Sequence, residues 1–92
     1  MLYFLIPTYN DANNIQSIIS KTEKYANKKG YDFRLYFLND NSTDNIKSIV
    51  SSLNNNKVVL NNFDSNRGPG AVIRDGLKEI YPKLKEDDIV IA

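Results

Sequence analysis

Three short stretches of this 92-residue chain carry side chains suited to ligand chemistry. The first is Pro7-Thr8-Tyr9-Asn10-Asp11, where a rigid proline precedes an aromatic ring and two polar groups. The ring can stack on a nucleobase, and Asn and Asp can read hydrogen bonds. A loop that cradles a pyrophosphate against its backbone is glycine-rich. This one has no glycine, so it suits a base better than a phosphate. The second stretch is Asn39-Asp40-Asn41-Ser42-Thr43-Asp44, which follows an apolar run. A carboxylate at the tip of a buried strand can accept a hydrogen bond from a ribose or a base imide. Such a bond to a charged group is worth about 1.5–3 kcal/mol, enough to discriminate between bases. The third is Asn66-Arg67-Gly68-Pro69-Gly70, with Arg74 and Asp75 one turn later. Two glycines at a helix start expose N–H groups, and the helix dipole favours an anion there. Arg74 could reach a diphosphate as a bidentate donor.

Each stretch also has a plainer reading. Pro7 and Asn10 would shape a turn, Asp11 would cap a helix and Tyr9 would pack locally. Ser42, Thr43 and Asp44 read more readily as helix capping than as ligand contacts, whereas Asp40 is harder to explain that way. Gly68-Pro69 would be an ordinary helix start, with Arg74 paired to a neighbouring carboxylate. What favours a shared site is their order: each stretch follows a successive strand.

The elements that must position these loops are legible from periodicity. Leu2-Tyr3-Phe4-Leu5-Ile6 is a short continuous apolar run, as expected of a strand buried on both faces. Ile15, Ile18, Ile19, Thr22 and Ala26 then recur at helical spacing, and Gly30 marks the stop. Phe33 to Leu38 is a second strand. Ser42-Thr43-Asp44 starts a helix carrying Ile46, Ile49, Val50 and Leu53, which Asn54-Asn55-Asn56 breaks. Val58-Val59-Leu60 is a third strand, Ile73, Leu77 and Ile80 line a third helix that Pro82 ends, and Ile89 to Ala92 begins a fourth strand. The resulting β-α-β-α-β-α-β order specifies an α/β fold: a Rossmann-like, three-layer α/β/α arrangement around a mainly parallel sheet. Ligands of such sheets sit at the carboxyl ends of the strands, which is where the three stretches fall.

Composition narrows the chemistry. The chain has no histidine and no cysteine, which removes disulfides, thiolate metal sites and the commonest general base. Twelve basic residues balance eleven acidic ones to a net charge of +1, so no electrostatic case exists for nucleic acid. The apolar start Met1–Pro7 has no basic segment before it, and no stretch approaches the ~20 apolar residues of a membrane helix. A cytoplasmic location is therefore expected. A nicotinamide-binding unit would need Gly-x-Gly-x-x-Gly after the first strand, which is absent; a phosphoacceptor domain would need acids after strand one and a lone Asp after strand three, and only Asp11 and Asp64 are available, at poor spacing.

Taken together, the motifs resemble family 2 glycosyltransferases. That family begins with a strand ending in Pro-x-Tyr-Asn-Glu; here it is Pro7-Thr8-Tyr9-Asn10-Asp11, with Asp in the Glu position and one methylene shorter. Its second strand ends Asp-Asp-x-Ser-x-Asp; here Asn39-Asp40-Asn41-Ser42-Thr43-Asp44 has Asn for the first acid. Its third loop reads Asn-x-Gly-x-Gly-Ala followed by Arg and Gly, matched by Asn66, Gly68, Gly70, Ala71, Arg74 and Gly76. The resemblance implies a GT-A fold holding a UDP- or GDP-linked sugar, usually with Mg²⁺ or Mn²⁺. Residues 1–92 would be the front part of that domain, ending before the Asp-x-Asp pair. Pro7, Thr8, Tyr9, Asp11 and Asp40 would line the base pocket, and Arg74 would lie near the diphosphate. Asp87-Asp88 precede the last strand and read as solvated or capping residues, so neither a metal site nor a catalytic residue is expected within the chain. The chain alone is then expected to bind nucleotide weakly and turn over nothing. The competing expectation is a non-catalytic module that self-associates through the open edge of its fourth strand.

Overall fold

The computed structural model describes residues 1–92. Strands and helices alternate: β1 (Leu2–Thr8), α1 (Ile15–Lys29), β2 (Phe33–Asn39), α2 (Ile46–Leu53), β3 (Val58–Asn62), α3 (Pro69–Ile80) and β4 (Ile89–Ile91). Single 3₁₀ turns at Ala12–Asn14 and Tyr81–Lys83 precede α1 and follow α3. The strands form one sheet in the order β3-β2-β1-β4, and every pairing is parallel. This is the expected Rossmann-like α/β arrangement.

The continuous apolar runs are explained by burial on both sheet faces. Alternate residues Leu2, Phe4, Phe33, Leu35 and Phe37 pack with Ile15, Ile19 and Ala26 of α1 and Ile46 of α2. Their neighbours Tyr3, Leu5, Tyr36 and Leu38 pack with Val72 and Ile80 of α3 on the opposite face. The molecule is thus three layers deep. Helix α1 stops where Gly30 adopts a φ of 73°, and Tyr31 N–H donates back to the Ala26 carbonyl at 3.0 Å. Helix α3 lies close on the sheet because Gly76 faces Leu38: a Cβ built there would meet Leu38 Cδ2 at 2.9 Å.

Two boundaries differ from expectation in ways that matter for the site. Strand β1 runs past Ile6 through Pro7 and Thr8, in register with Leu38 and Asn39. Leu2 N–H and the Thr8 carbonyl both bond toward the β2 side, so the odd-numbered residues of β1 face β4. Pro7 therefore turns its missing N–H away from β2, and the β1–β2 ladder loses no bond. Helix α2, expected to start at Ser42-Thr43-Asp44, starts at Ile46 instead, with Asn45 before it. The side chains of Ser42, Thr43 and Asp44 are occupied elsewhere, as described below. Pro82 sits in the 3₁₀ turn just after α3, which ends at Ile80.

Candidate functional site

Chain direction across the sheet reverses once. It moves outward from β1 to β2 to β3, then crosses back over the other face through α3 to β4 on the far side of β1. Sheets of this kind bind ligands outside the carboxyl ends of their strands, near the point of reversal. There the loops after β1 and β2 meet the start of α3. Pro7, Thr8, Tyr9, Asp40 and Pro69 line a cleft of about 150 Å³.

The two strand-end loops are bound to each other by side chains. Asn10, with a φ of 50°, accepts the Thr43 N–H on its Oδ1 at 2.8 Å and the Thr43 hydroxyl at 3.2 Å. Its own N–H donates to Ser42 Oγ at 3.0 Å. Asp44 bridges the same gap: Oδ2 accepts from Ala12 N–H at 3.0 Å and Oδ1 from Ile46 N–H at 3.3 Å. Asp44 thus serves the start of α2 only in part, and Ser42 and Thr43 act between loops rather than as caps. Asn39, 1% exposed, donates from Nδ2 to Asn62 Oδ1 at 2.8 Å and accepts Ser42 N–H on Oδ1 at 3.0 Å. An uncharged side chain suffices for that structural role.

Asp40 joins the third loop to the other two. Only 4% exposed, it accepts the N–H groups of Arg67 and Gly68, one on each carboxylate oxygen, both at 2.8 Å. Its own N–H donates to the Thr8 carbonyl at 2.9 Å. A carboxylate at the start of α3 also sits at the positive end of that helix's dipole. The Gly68 amide, expected to be free for an anion, is consequently engaged by Asp40. Each carboxylate oxygen can accept a second donor, so Asp40 keeps acceptor capacity toward the cleft it lines. Tyr9 stands at the rim with half its surface exposed, and Thr8 Oγ1 donates to the Ile6 carbonyl at 3.2 Å.

The other residues singled out in the sequence lie apart. Asp11 does not line the cleft; its carboxylate accepts from the side-chain amide of Asn14. Arg74 lies in a broad depression of about 430 Å³ on the outer face of α3, with Gly70, Ile73, Leu77, Lys78 and Tyr81. Its Nε is 3.5 Å from Asp75 Oδ1. That depression is larger than the cleft, but one helix and its following turn supply all of it, and no strand-end loop reaches it. Arg67, not singled out as a ligand group in the sequence, is the cation held nearer the loops. Its guanidinium lies 5.3 Å from the Phe63 ring centroid and pairs with Asp75, whose carboxyl is held below the usual range chiefly by that hydrogen bond. Phe63 and Asp75, four before and eight after Arg67, were the available signal. Asp88 is at the opposite end of the sheet, one residue before the Leu2–Ile89 pair. It accepts Lys85 N–H at 2.8 Å and pairs with the Met1 amino group at 3.3 Å. No group of three His, Cys, Asp or Glu side chains stands close enough to hold a metal.

The family model described as glycosyl transferase family 2 matches residues 3–83, a span containing all three loops. The chain belongs to glycosyl transferase family 2. In this family 2 domain the matched span starts in β1 and ends in the turn after α3, so the lined cleft lies wholly within it. A Bacillus subtilis (strain 168) protein named "Putative glycosyltransferase CsbB" is 27% identical over 84 residues. The alignment takes in 87% of this chain and 25% of that protein, so the family 2 domain described here spans about a quarter of the relative's length. No solved structure is significantly similar to the chain. No helix is long and apolar enough to cross a membrane.

Proposed function

We propose that this chain is the nucleotide-binding portion of an inverting family 2 glycosyltransferase, seating the base of a UDP- or GDP-linked sugar in the cleft of Pro7, Thr8, Tyr9, Asp40 and Pro69. The observation that carries the reading is the position of that cleft. It lies at the carboxyl ends of parallel strands beside the reversal of strand order, inside the span that matches the family. A ring at the rim and a buried carboxylate with spare lone pairs match the two demands of a base: a face to stack and an N–H to receive.

In this reading Tyr9 stacks on the base and Asp40 accepts its ring N–H, with Pro7 and Thr8 forming the wall. Asp11 lies one short step along the loop and contacts the nucleotide only after its bond to Asn14 is exchanged. Arg74, about one turn beyond Pro69, reaches the diphosphate from outside the cleft by extending its side chain. The acceptor, a lipid phosphate or a saccharide, loses a proton to a carboxylate and attacks the anomeric carbon while the diphosphate leaves. Mg²⁺ or Mn²⁺ would neutralise charge on that leaving group. This reading places the metal's ligands and the catalytic base outside residues 1–92 and leaves the chain alone inactive. A cytoplasmic location accompanies a nucleotide-sugar donor.

Titration of the chain with UDP and with GDP, each with Mg²⁺ and followed by amide NMR shifts, tests the reading. Shifts should cluster at Tyr9, Asp40, Arg67 and Gly68. Tyr9→Ala should weaken binding by about tenfold or more, since stacking a base on an aromatic ring is worth ~1–3 kcal/mol. An unchanged affinity in that variant removes Tyr9 from the base pocket, and no saturable shift with either nucleotide ends the proposal. The alternative, a self-associating module, draws on the outer edge of β4, which pairs only with β1 and leaves Ile89 exposed. Concentration-dependent dimerisation in sedimentation, without nucleotide binding, would favour it.

A further inference from the structure

Tyr9 has no hydrogen bond of its own to fix it, and half its surface is free. The backbone before it is tied to Asp40 through the Thr8 carbonyl, so the loop that follows sets the rest of its place. We infer that Asn10 is a positioning residue of the cleft: its side-chain oxygen, by accepting both the N–H and the hydroxyl of Thr43, holds the Tyr9 loop at a fixed distance from Asp40. The inference rests on the nucleotide reading given above. The partners are 33 residues apart in sequence, yet Thr43 lies only three residues past Asp40 and Asn10 directly follows Tyr9. The clasp therefore adds a second tie on the far side of Tyr9 to the one that the Asp40 N–H makes with the Thr8 carbonyl at 2.9 Å. Ser42 Oγ adds a third bond from the Asn10 N–H in the same place.

Two properties of position 10 are separable. The left-handed φ of 50° favours Asn, Asp or Gly. The clasp needs only an acceptor oxygen, because the Asn10 amide nitrogen takes no part in it. Glycine keeps the backbone shape and deletes the clasp; aspartate keeps both. An unclasped loop samples more positions, and a ligand must then reorder it on binding. Position 10 thereby sets affinity without touching the ligand.

The test compares wild type, Asn10→Gly and Asn10→Asp in the full chain. Thr43 amide hydrogen exchange and the dissociation constants for UDP and GDP with Mg²⁺ are measured at 0.15 M salt and well below each melting midpoint. Asn10→Gly should speed Thr43 exchange and weaken nucleotide binding by about tenfold, the loss expected for about two hydrogen bonds. Asn10→Asp should stay within about threefold of wild type, its exposed extra charge being screened. Equal affinity in wild type and Asn10→Gly overturns this inference and leaves the nucleotide reading standing. Equally weak binding by the glycine and aspartate variants overturns it too. Absence of binding in the wild type removes the nucleotide reading and this inference with it.

Discussion

Both carboxylate oxygens of Asp40 already accept a main-chain N–H, which changes what a substitution there would report. Replacing the carboxylate by an amide aims an NH₂ group at an N–H donor and leaves a buried amide unpaired. Asp40→Asn should therefore destabilise the chain by ~1–3 kcal/mol without any ligand present, measured by urea denaturation. A stability equal to wild type would mean that the Arg67 and Gly68 amides find other partners. Tyr9 is the cleaner probe of binding because it contributes almost nothing to the core. At this scale the sequence was legible in part. Asp40 stands out as a carboxylate ending a buried strand, and the structure does put it beside Pro7, Thr8 and Tyr9. Its bonds to residues 67 and 68 could not be foreseen, because they depend on how the third loop folds back over the second. Helical phase turns Arg74 onto the outer face of α3, where Asp75 meets it, while Arg67 stays nearer the loops.

Among the elements, α3 is the one whose placement the cleft depends on, since its first residue supplies the Pro69 wall. Its seating is fixed by Gly76 against Leu38, which is fully buried. A methyl group at position 76 raises helix propensity but presses into Leu38 in a filled core. Gly76→Ala should cost about 1–3 kcal/mol in denaturant unfolding, overpacking outweighing the propensity gain of ~1 kcal/mol. A stabilised variant would show that Leu38 changes rotamer freely. Element order, type and most boundaries followed from periodicity, because strands covered on both faces and helices with one apolar face leave different patterns. The start of α2 did not. Ser, Thr and Asp before an apolar stripe read locally as capping, and the tertiary bonds from Asn10 and Ala12 outcompete that local role.

Across the whole molecule, the two ends of the sheet are held by different forces. At the carboxyl end, neutral and charged side chains bond main-chain amides between loops. At the amino end, ion pairs dominate: Lys57 and Arg34 meet Asp32 at 2.8 and 3.6 Å, and the Met1 amino group meets Asp88. The Lys57 hydrogen bond chiefly depresses Asp32, and the Lys85 N–H chiefly depresses Asp88, both below the usual value of 3.8. Asp75 is lowered as well, through Arg67. Because the folded pKa values are depressed, the charged carboxylates stabilise the native state above pH 3.8, and that stabilisation is lost as pH falls through the lower folded values. Urea midpoints should thus be level from pH 7 to about 5 and drop below about 4, less steeply in 1 M salt. A midpoint that rises on acidification would contradict the assignment of these pairs.

Pro7 gives the upper sheet an asymmetry that no neighbouring side chain can undo. On the β2 side the ladder runs unbroken to Thr8; on the other side, the last main-chain donor β1 can offer is Leu5. Any backbone lying along that flank, whatever its sequence, has a carbonyl with nothing to receive above that rung. Strand pairing on that flank of β1 therefore has to end below Tyr9, whereas on the β2 flank it reaches Thr8.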